Sequence, residues 1–401
     1  MIYADHSATT PVDSRVRQVV CQMMEARFGN PSSPHQTGIE ARQALTEGRN
    51  QVARLIGAGE GTWENPGEIV LTASGTESNN LAIHGAVQAC QHKGRHIITS
   101  RIEHHAVLRV FQELESRGVE VSYLPVDERG LVSPGQLKDT LRPDTVLVSI
   151  MTANNEVGTI QPIRALAALC KRQGTLFHTD AVQAAGKIPL HVNHLGVDML
   201  SLSAHKLYGP KGMGALYVRQ GVLLQPLMQG GGQEQGFRPG TYNVPGAAGF
   251  GRACQIAADK LDAEAVRLRR LTVVLREGLE KRCPELVFHG CPDRALPGFL
   301  SFSPLYVQGD SLLTALDLAG FQVSAGSACT TGVKEPSHVL TAMGVHPQVC
   351  QSAVRVTLGR GNTEHDVEEM LRRFPEIIGR LRALSPLYQD ALEREHRLED
   401  E

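Results

Sequence analysis

Short apolar runs recur through the first 220 residues, at 68–72, 96–99, 119–124, 145–151, 175–179, 198–203 and 214–218. Runs of this kind read as strands. Between several of them the apolar positions repeat at helical spacing. Over 36–56 they are Ile39, Leu45, Val52, Leu55 and Ile56, and 76–90, 105–117 and 163–173 behave similarly. Strand alternating with helix predicts a mainly parallel, seven-stranded sheet covered by helices on both faces. Such sheets bind ligands at the carboxyl ends of their strands.

The pattern changes near residue 245. A long stretch, 248–281, is rich in Ala, Leu, Arg and Glu and reads as helix. Short strand-like pieces follow at 286–289 and 298–302, then helical patterns at 311–319 and 364–384. This predicts an α/β chain with a large domain over 14–245 and a smaller α+β domain built from 1–13 and 246–401. The charged tail, 389–401, is expected to fray.

Bulk composition narrows the function classes. The chain has 401 residues, long enough for two cores. Its formal net charge is −2, so electrostatics give no case for nucleic acid or an anionic membrane. No apolar run approaches the ~20 residues that span a bilayer. The N-terminus lacks a basic segment followed by an apolar one, so a cytoplasmic protein is expected. Of the eight cysteines, no two form a C-x-x-C pair, and Cys283 and Cys291 lack zinc-ligand spacing. No metal site is expected, and most of the thiols are expected to be buried in a reducing compartment.

Candidate chemistry gathers after the strand-like runs. Lys206, in Ser203-Ala204-His205-Lys206, follows one run, and Asp180 closes another. A lysine and an aspartate at the ends of two strands suit pyridoxal phosphate. The amine forms a Schiff base with the aldehyde, and the carboxylate keeps the pyridine nitrogen protonated. A solvated lysine and a helix-capping aspartate are the plainer alternatives. Ser74-Gly75-Thr76-Glu77 opens a helix and offers either a phosphate site or an ordinary cap. Glu103-His104-His105 puts a histidine at a strand end, to stack on a ring, to move protons or simply to cap. Asn154-Asn155-Glu156 supplies an amide for a ligand or an Asx turn. Gly230-Gly231-Gly232 reads as a flexible loop. Arg355, inside an apolar alternating run, calls for an anion, either a substrate carboxylate or a structural partner. Cys329 lies in Ser324-Ala325-Gly326-Ser327-Ala328-Cys329-Thr330, where small neighbours suit a reactive thiol better than a core one.

Taken in order, these segments resemble the cysteine desulfurases of the NifS and IscS types, in the class V aminotransferase family of fold-type I pyridoxal phosphate enzymes. The likeness begins at Asp5-His6-Ser7-Ala8-Thr9-Thr10-Pro11 and Phe28-Gly29-Asn30-Pro31-Ser32-Ser33 and runs to Cys329 and Arg355. It implies conversion of L-cysteine to L-alanine, with the sulfur carried as a persulfide on Cys329. By matching position, Lys206 is the Schiff-base lysine, Asp180 pairs with the ring nitrogen and Gln183 with the ring hydroxyl. His104 stacks on the ring, and Gly75, Thr76, Ser203 and His205 hold the phosphate. Thr241 reaches the cofactor of the other subunit, which implies a homodimer. Asn155 and Arg355 orient the substrate. The resemblance also implies a sulfur-acceptor protein, such as an iron–sulfur scaffold, and lets Cys329 touch a transient iron–sulfur cluster. Another class V enzyme (an aminotransferase or a selenocysteine lyase) and a non-catalytic relative are the competing expectations. Ala204, Gln233 and Gln235 depart from the family pattern, and a crowded phosphate loop is expected at Ala204.

Overall fold

The computed structural model describes residues 1–325 and 336–390. The seven apolar runs form one sheet in the order Ile69–Thr72, Gly214–Val218, Met199–Ser203, Leu176–Asp180, Thr145–Ser149, His96–Ser100, Glu120–Leu124. Only Gly214–Val218 runs antiparallel to its neighbours. Alternate side chains of each strand enter different cores. Ile69, Leu71, Leu200, Leu202, Ala215 and Tyr217 pack on one face, and Val70, Met199, Leu216 and Val218 on the other. A strand buried on both faces needs apolar residues at every position, which is why these runs stand out in the sequence.

The helices Gln36–Ile56 and Ile163–Gln173 stop where glycine permits a left-handed cap, at Gly57 and Gly174. Helix Ser14–Glu25 was not foreseen, because its buried residues are only Val16 and Met23. Such a sparse stripe gives little periodicity to read.

A second, antiparallel sheet follows the order Ser324–Ala325, Val354–Thr357, Phe299–Pro304, Leu286–His289. It packs on its own core, which includes Phe302, Val354, Val356 and Phe374. The helix Val244–Arg282, about 58 Å long at 1.5 Å per residue, joins the two cores. Val244, Ala247, Phe250 and Cys254 enter the first, and Leu268, Leu271, Leu275 and Leu279 the second. Ile2–Tyr3 pairs with Phe321–Gln322, and Ala4 is buried in the second core. That pair is a separate two-stranded sheet, so the chain begins against the smaller core and then runs toward the carboxyl ends of the large sheet. Cys90, Cys170, Cys254, Cys283, Cys291 and Cys350 are buried, and Cys21 is exposed. Cys329 and the tail from 391 lie outside the described residues.

Candidate active site

The strands Leu176–Asp180 and Met199–Ser203 are parallel neighbours, with Asp180 opposite Ser201. Beyond Ser203 the chain makes one tight turn, Ala204–Lys206. Asp180 and Lys206 therefore leave the same edge of the sheet. The N-terminal segment closes over them. Lys206 Nζ donates to the carbonyl of Ser7, and to that of Ala8 at 2.7 Å. Gln183 Nε2 donates to the same Ser7 oxygen at 3.0 Å. Ser7 Oγ donates to the Asn155 carbonyl at 2.9 Å, and Arg355 Nη1 reaches that carbonyl at 3.0 Å. Thr9 Oγ1 lies 3.1 Å from His205 Nδ1, and Thr10 donates to the His205 carbonyl through its backbone N–H and its hydroxyl. Lys206, Gln183, Asn155 and His205 are thus gathered by four consecutive N-terminal residues, and Arg355 joins them through the Asn155 carbonyl.

Asp180 accepts from Asn79 Nδ2 at 2.7 Å and from the Val182 N–H at 2.9 Å. Asn79 lies one turn into helix Gly75–Cys90, whose cap is Ser74, accepting from the Glu77 N–H at 3.1 Å. That helix start packs closely on the lysine-bearing strand. A methyl at Gly75 would sit 2.7 Å from Val182 Cγ2 and 3.3 Å from Ser203 Cβ. Ser203 is buried, and Thr76 is exposed. His104 caps its own helix, with Nδ1 accepting from the Ala106 N–H at 3.1 Å. That bond leaves Nε2 to carry the proton of the neutral ring. Burial lowers the His104 pKa; Asp180 opposes this, and Lys206 and His105 add to it. The Asx turn expected near Asn155 belongs to Asn154, whose Oδ1 accepts from Glu156 and Val157. Thr241 is exposed, and no described hydrogen bond joins it to the others. The Cys329 assignment lies outside the described residues.

Arg355 takes the structural partner as well as the site. Its Nη2 donates to Asp5 Oδ1 at 2.8 Å, while its Nε is buried without a partner among the described residues. Two buried acids went unnoticed in the sequence. Glu103 accepts from Ser100 Oγ at 2.5 Å and from the Met151 N–H at 3.0 Å, and burial pushes its carboxyl up to about 8. Glu156 accepts from Ser337 Oγ at 2.5 Å, and burial pushes it up to about 7 against the pull of Ser337 and Arg355. Both directly adjoin residues already singled out, His104 and Asn155, and an acid following a strand end was the available signal. Asn79 and the carbonyls of Ser7 and Ala8 were also missed; backbone oxygens leave no trace in composition.

The three departures resolve locally. The Ala204 methyl is fully buried in the apolar core. Gln233 and Gln235 flank Glu234, which is buried against Arg49. The glycine loop is therefore pinned at its far end rather than left as a free linker.

A model of the aminotransferase class-V family matches residues 2–370. The cysteine desulfurase IscS of Dictyoglomus turgidum is 46% identical over 389 residues, covering 97% of each chain. That of Methanosarcina thermophila is 46% identical, covering 96% of this chain and 94% of its own. Among solved structures, a NifS-like protein aligns with a TM-score of 0.87 at 40% identity, over 95% of this chain and all of its own. SspA, solved in complex with cysteine, aligns with a TM-score of 0.77 at 36% identity, over 89% of this chain and 99% of its own. The chain belongs to the class-V aminotransferase family, in the cysteine desulfurase branch, whose members generally depend on pyridoxal phosphate.

Proposed function

We propose that this chain binds pyridoxal phosphate at Lys206 and moves the sulfur of L-cysteine onto Cys329, releasing L-alanine. The observation that carries the reading is the convergence of Lys206, Asp180 and Gln183 at one sheet edge under the Ser7–Thr10 segment. The polar inventory fits the cofactor. Gln183 Oε1 and Asn79 Oδ1 are buried without hydrogen-bond partners among the described residues. Gln183 stands ready for the ring hydroxyl, and Asp180 supplies the carboxylate for the ring nitrogen. Gly75, Thr76, Ser203 and His205 hold the phosphate, where a helix start meets the lysine-bearing turn. Thr241, being exposed, is available to a second subunit's cofactor in a homodimer. We take residues 14–245 as the cofactor-binding unit and 1–13 with 246–401 as the smaller one, the helix Val244–Arg282 reaching back into the first core through Ala247, Phe250 and Cys254.

When bound, the cofactor accepts the electron pair freed at the substrate α-carbon. The chain's own residues do the rest. Arg355 has its Nε available for the substrate carboxylate, and Asn155 lies on the same segment. Lys206 takes the α-proton. The neutral His104 ring accepts and returns a proton beside it. The Cys329 thiolate attacks the substrate sulfur. An S–S bond forms, the Cβ–S bond breaks, and the released electron pair is protonated to become the methyl group of alanine. The persulfide then passes to an acceptor protein, an iron–sulfur scaffold or a thiolation partner. This reading is tested by measuring sulfide and alanine from L-cysteine plus a thiol reductant. Wild type is expected to make both in equal amounts. Cys329→Ala is expected to bind pyridoxal phosphate and make neither; full activity in that variant would overturn the assignment of Cys329.

A further inference from the structure

Helix Gly75–Cys90 starts at the proposed phosphate seat and reaches Asp180 one turn later, through Asn79. Its first turn is pinned on two sides. Ser78 Oγ lies 2.8 Å from Thr72 Oγ1 on the strand Ile69–Thr72 and donates to the Ser74 carbonyl at 3.1 Å. Gly75 abuts Val182, whose backbone N–H is itself a donor to Asp180. The junction that seats the helix start therefore also places both donors on the carboxylate. Oδ1 of Asp180 takes the Val182 N–H and Oδ2 takes Asn79 Nδ2, one fixed donor on each oxygen. Each oxygen keeps accepting capacity for a further partner.

Asn79 is as deeply buried as the residue it serves. Its amide can face Asp180 in one orientation only, because a flip would set oxygen against oxygen at 2.7 Å. In that orientation Asn79 Oδ1 is buried with no hydrogen-bond partner among the described residues, a state that buried amides ordinarily avoid. The donor side of the amide is thus kept on Asp180 at the expense of the acceptor side. We propose that Asn79 is a positioning residue: it holds the Asp180 carboxylate toward the cofactor's ring nitrogen and ties it to the helix that carries the phosphate seat. The inference rests on the reading of Asp180 as the partner of that nitrogen.

Full-length wild type, Asn79→Leu, Asn79→Ala and Asp180→Ala are stripped of cofactor and titrated with two ligands. One is pyridoxal phosphate. The other is its deaza analogue, which has carbon in place of the ring nitrogen and keeps the aldehyde, the ring hydroxyl and the phosphate. The readout is Kd for each ligand. Asp180→Ala tests the underlying reading and is expected to weaken pyridoxal phosphate by a larger factor than the analogue. Equal factors there overturn Asp180 as the ring-nitrogen partner, whatever Asn79 does. Asn79→Leu fills a similar volume without a donor. It is expected to weaken pyridoxal phosphate about tenfold, the size of one hydrogen bond to a charged group, and the analogue by no more than about twofold. With the Asp180 control behaving as expected, equal weakening of both ligands makes Asn79 a support of the phosphate seat alone, and no weakening of either makes it packing alone. Both outcomes overturn the proposal. Asn79→Ala, which adds no bulk beside Asp180, decides if the Leu variant fails to fold.

Discussion

Arg49 and Arg355 are both buried arginines that meet an acid, and they are held very differently. Arg49 donates to Glu234 through Nη1 at 2.5 Å and Nη2 at 2.6 Å, and to the Ile69 carbonyl at 2.7 Å. Glu234 also takes the Leu71 N–H at 2.8 Å. Arg355 reaches one oxygen of Asp5 and one carbonyl, and leaves Nε buried without a partner. Their side chains are equally hidden, 4% exposed each. The first pair is saturated at both ends and clamps the glycine loop, with its left-handed Glu234 and Gln235, against the strand Ile69–Thr72. The second keeps hydrogen-bonding capacity in reserve at the junction of the two sheets. Burial of a charge therefore does not mark a site; an unfilled donor beside a partner that can be exchanged does.

The comparison is broken most directly at the saturated pair. Arg49→Ala leaves Glu234 buried without its counter-ion and is expected to destabilise the fold by about 3–5 kcal/mol. Guanidinium unfolding measures it; a loss below about 1 kcal/mol would mean that the clamp does not hold the fold. At the other arginine the effect moves to catalysis. Arg355→Lys keeps the charge and loses the planar fork, so kcat/KM for L-cysteine is expected to fall about 100-fold, or about 2.7 kcal/mol. Its loss of stability is expected to be smaller than that of Arg49→Ala. A variant with wild-type kcat/KM would make Arg355 purely structural.

The same contrast decides what could be read from the sequence. Six of the seven strands were legible because both of their faces are buried, the edge strand Glu120–Leu124 being half-exposed, and so were the long helices with dense apolar stripes. Asp180 was legible because it terminates such a strand, and Lys206 because it lies one tight turn beyond another. Glu234 was not, although the residues on either side of it were noticed as departures. Its burial depends on Arg49, 185 positions away in the chain, and on a positive-φ turn that no local pattern encodes. Asp5 was quoted only as part of a motif, since its bond to Arg355 spans 350 positions. The roof over Lys206 consists of main-chain carbonyls, and any sequence supplies those.

Glu156 extends the contrast to pH. Its folded pKa, about 7, lies above the ordinary carboxylate value because burial disfavours the charge, and Arg355 offsets this only in part. Between the two values the folded state binds a proton that the unfolded state does not. Stability is therefore full below the unfolded pKa and declines as pH rises toward 7. Glu156→Gln removes that slope. Relative to wild type, the variant is expected to gain on the order of 2–3 kcal/mol between pH 4.5 and pH 7. Urea midpoints at acid and neutral pH measure it, and parallel curves would contradict the assignment.

The smallest effect sharpens the comparison furthest. Asp5 occupies Arg355 from one side through a single oxygen, and its charge also opposes an incoming substrate carboxylate. Asp5→Asn keeps the shape and an acceptor oxygen but removes the charge. If Arg355 exchanges partners, the weaker amide bond yields more readily, and KM for L-cysteine is expected to fall about threefold, or about 0.65 kcal/mol, with kcat nearly unchanged. If Asp5 instead orients the guanidinium as rigidly as Glu234 orients Arg49, KM rises and kcat falls with it. The direction of that one change in KM decides whether the Arg355 pair is a reserve or a second clamp.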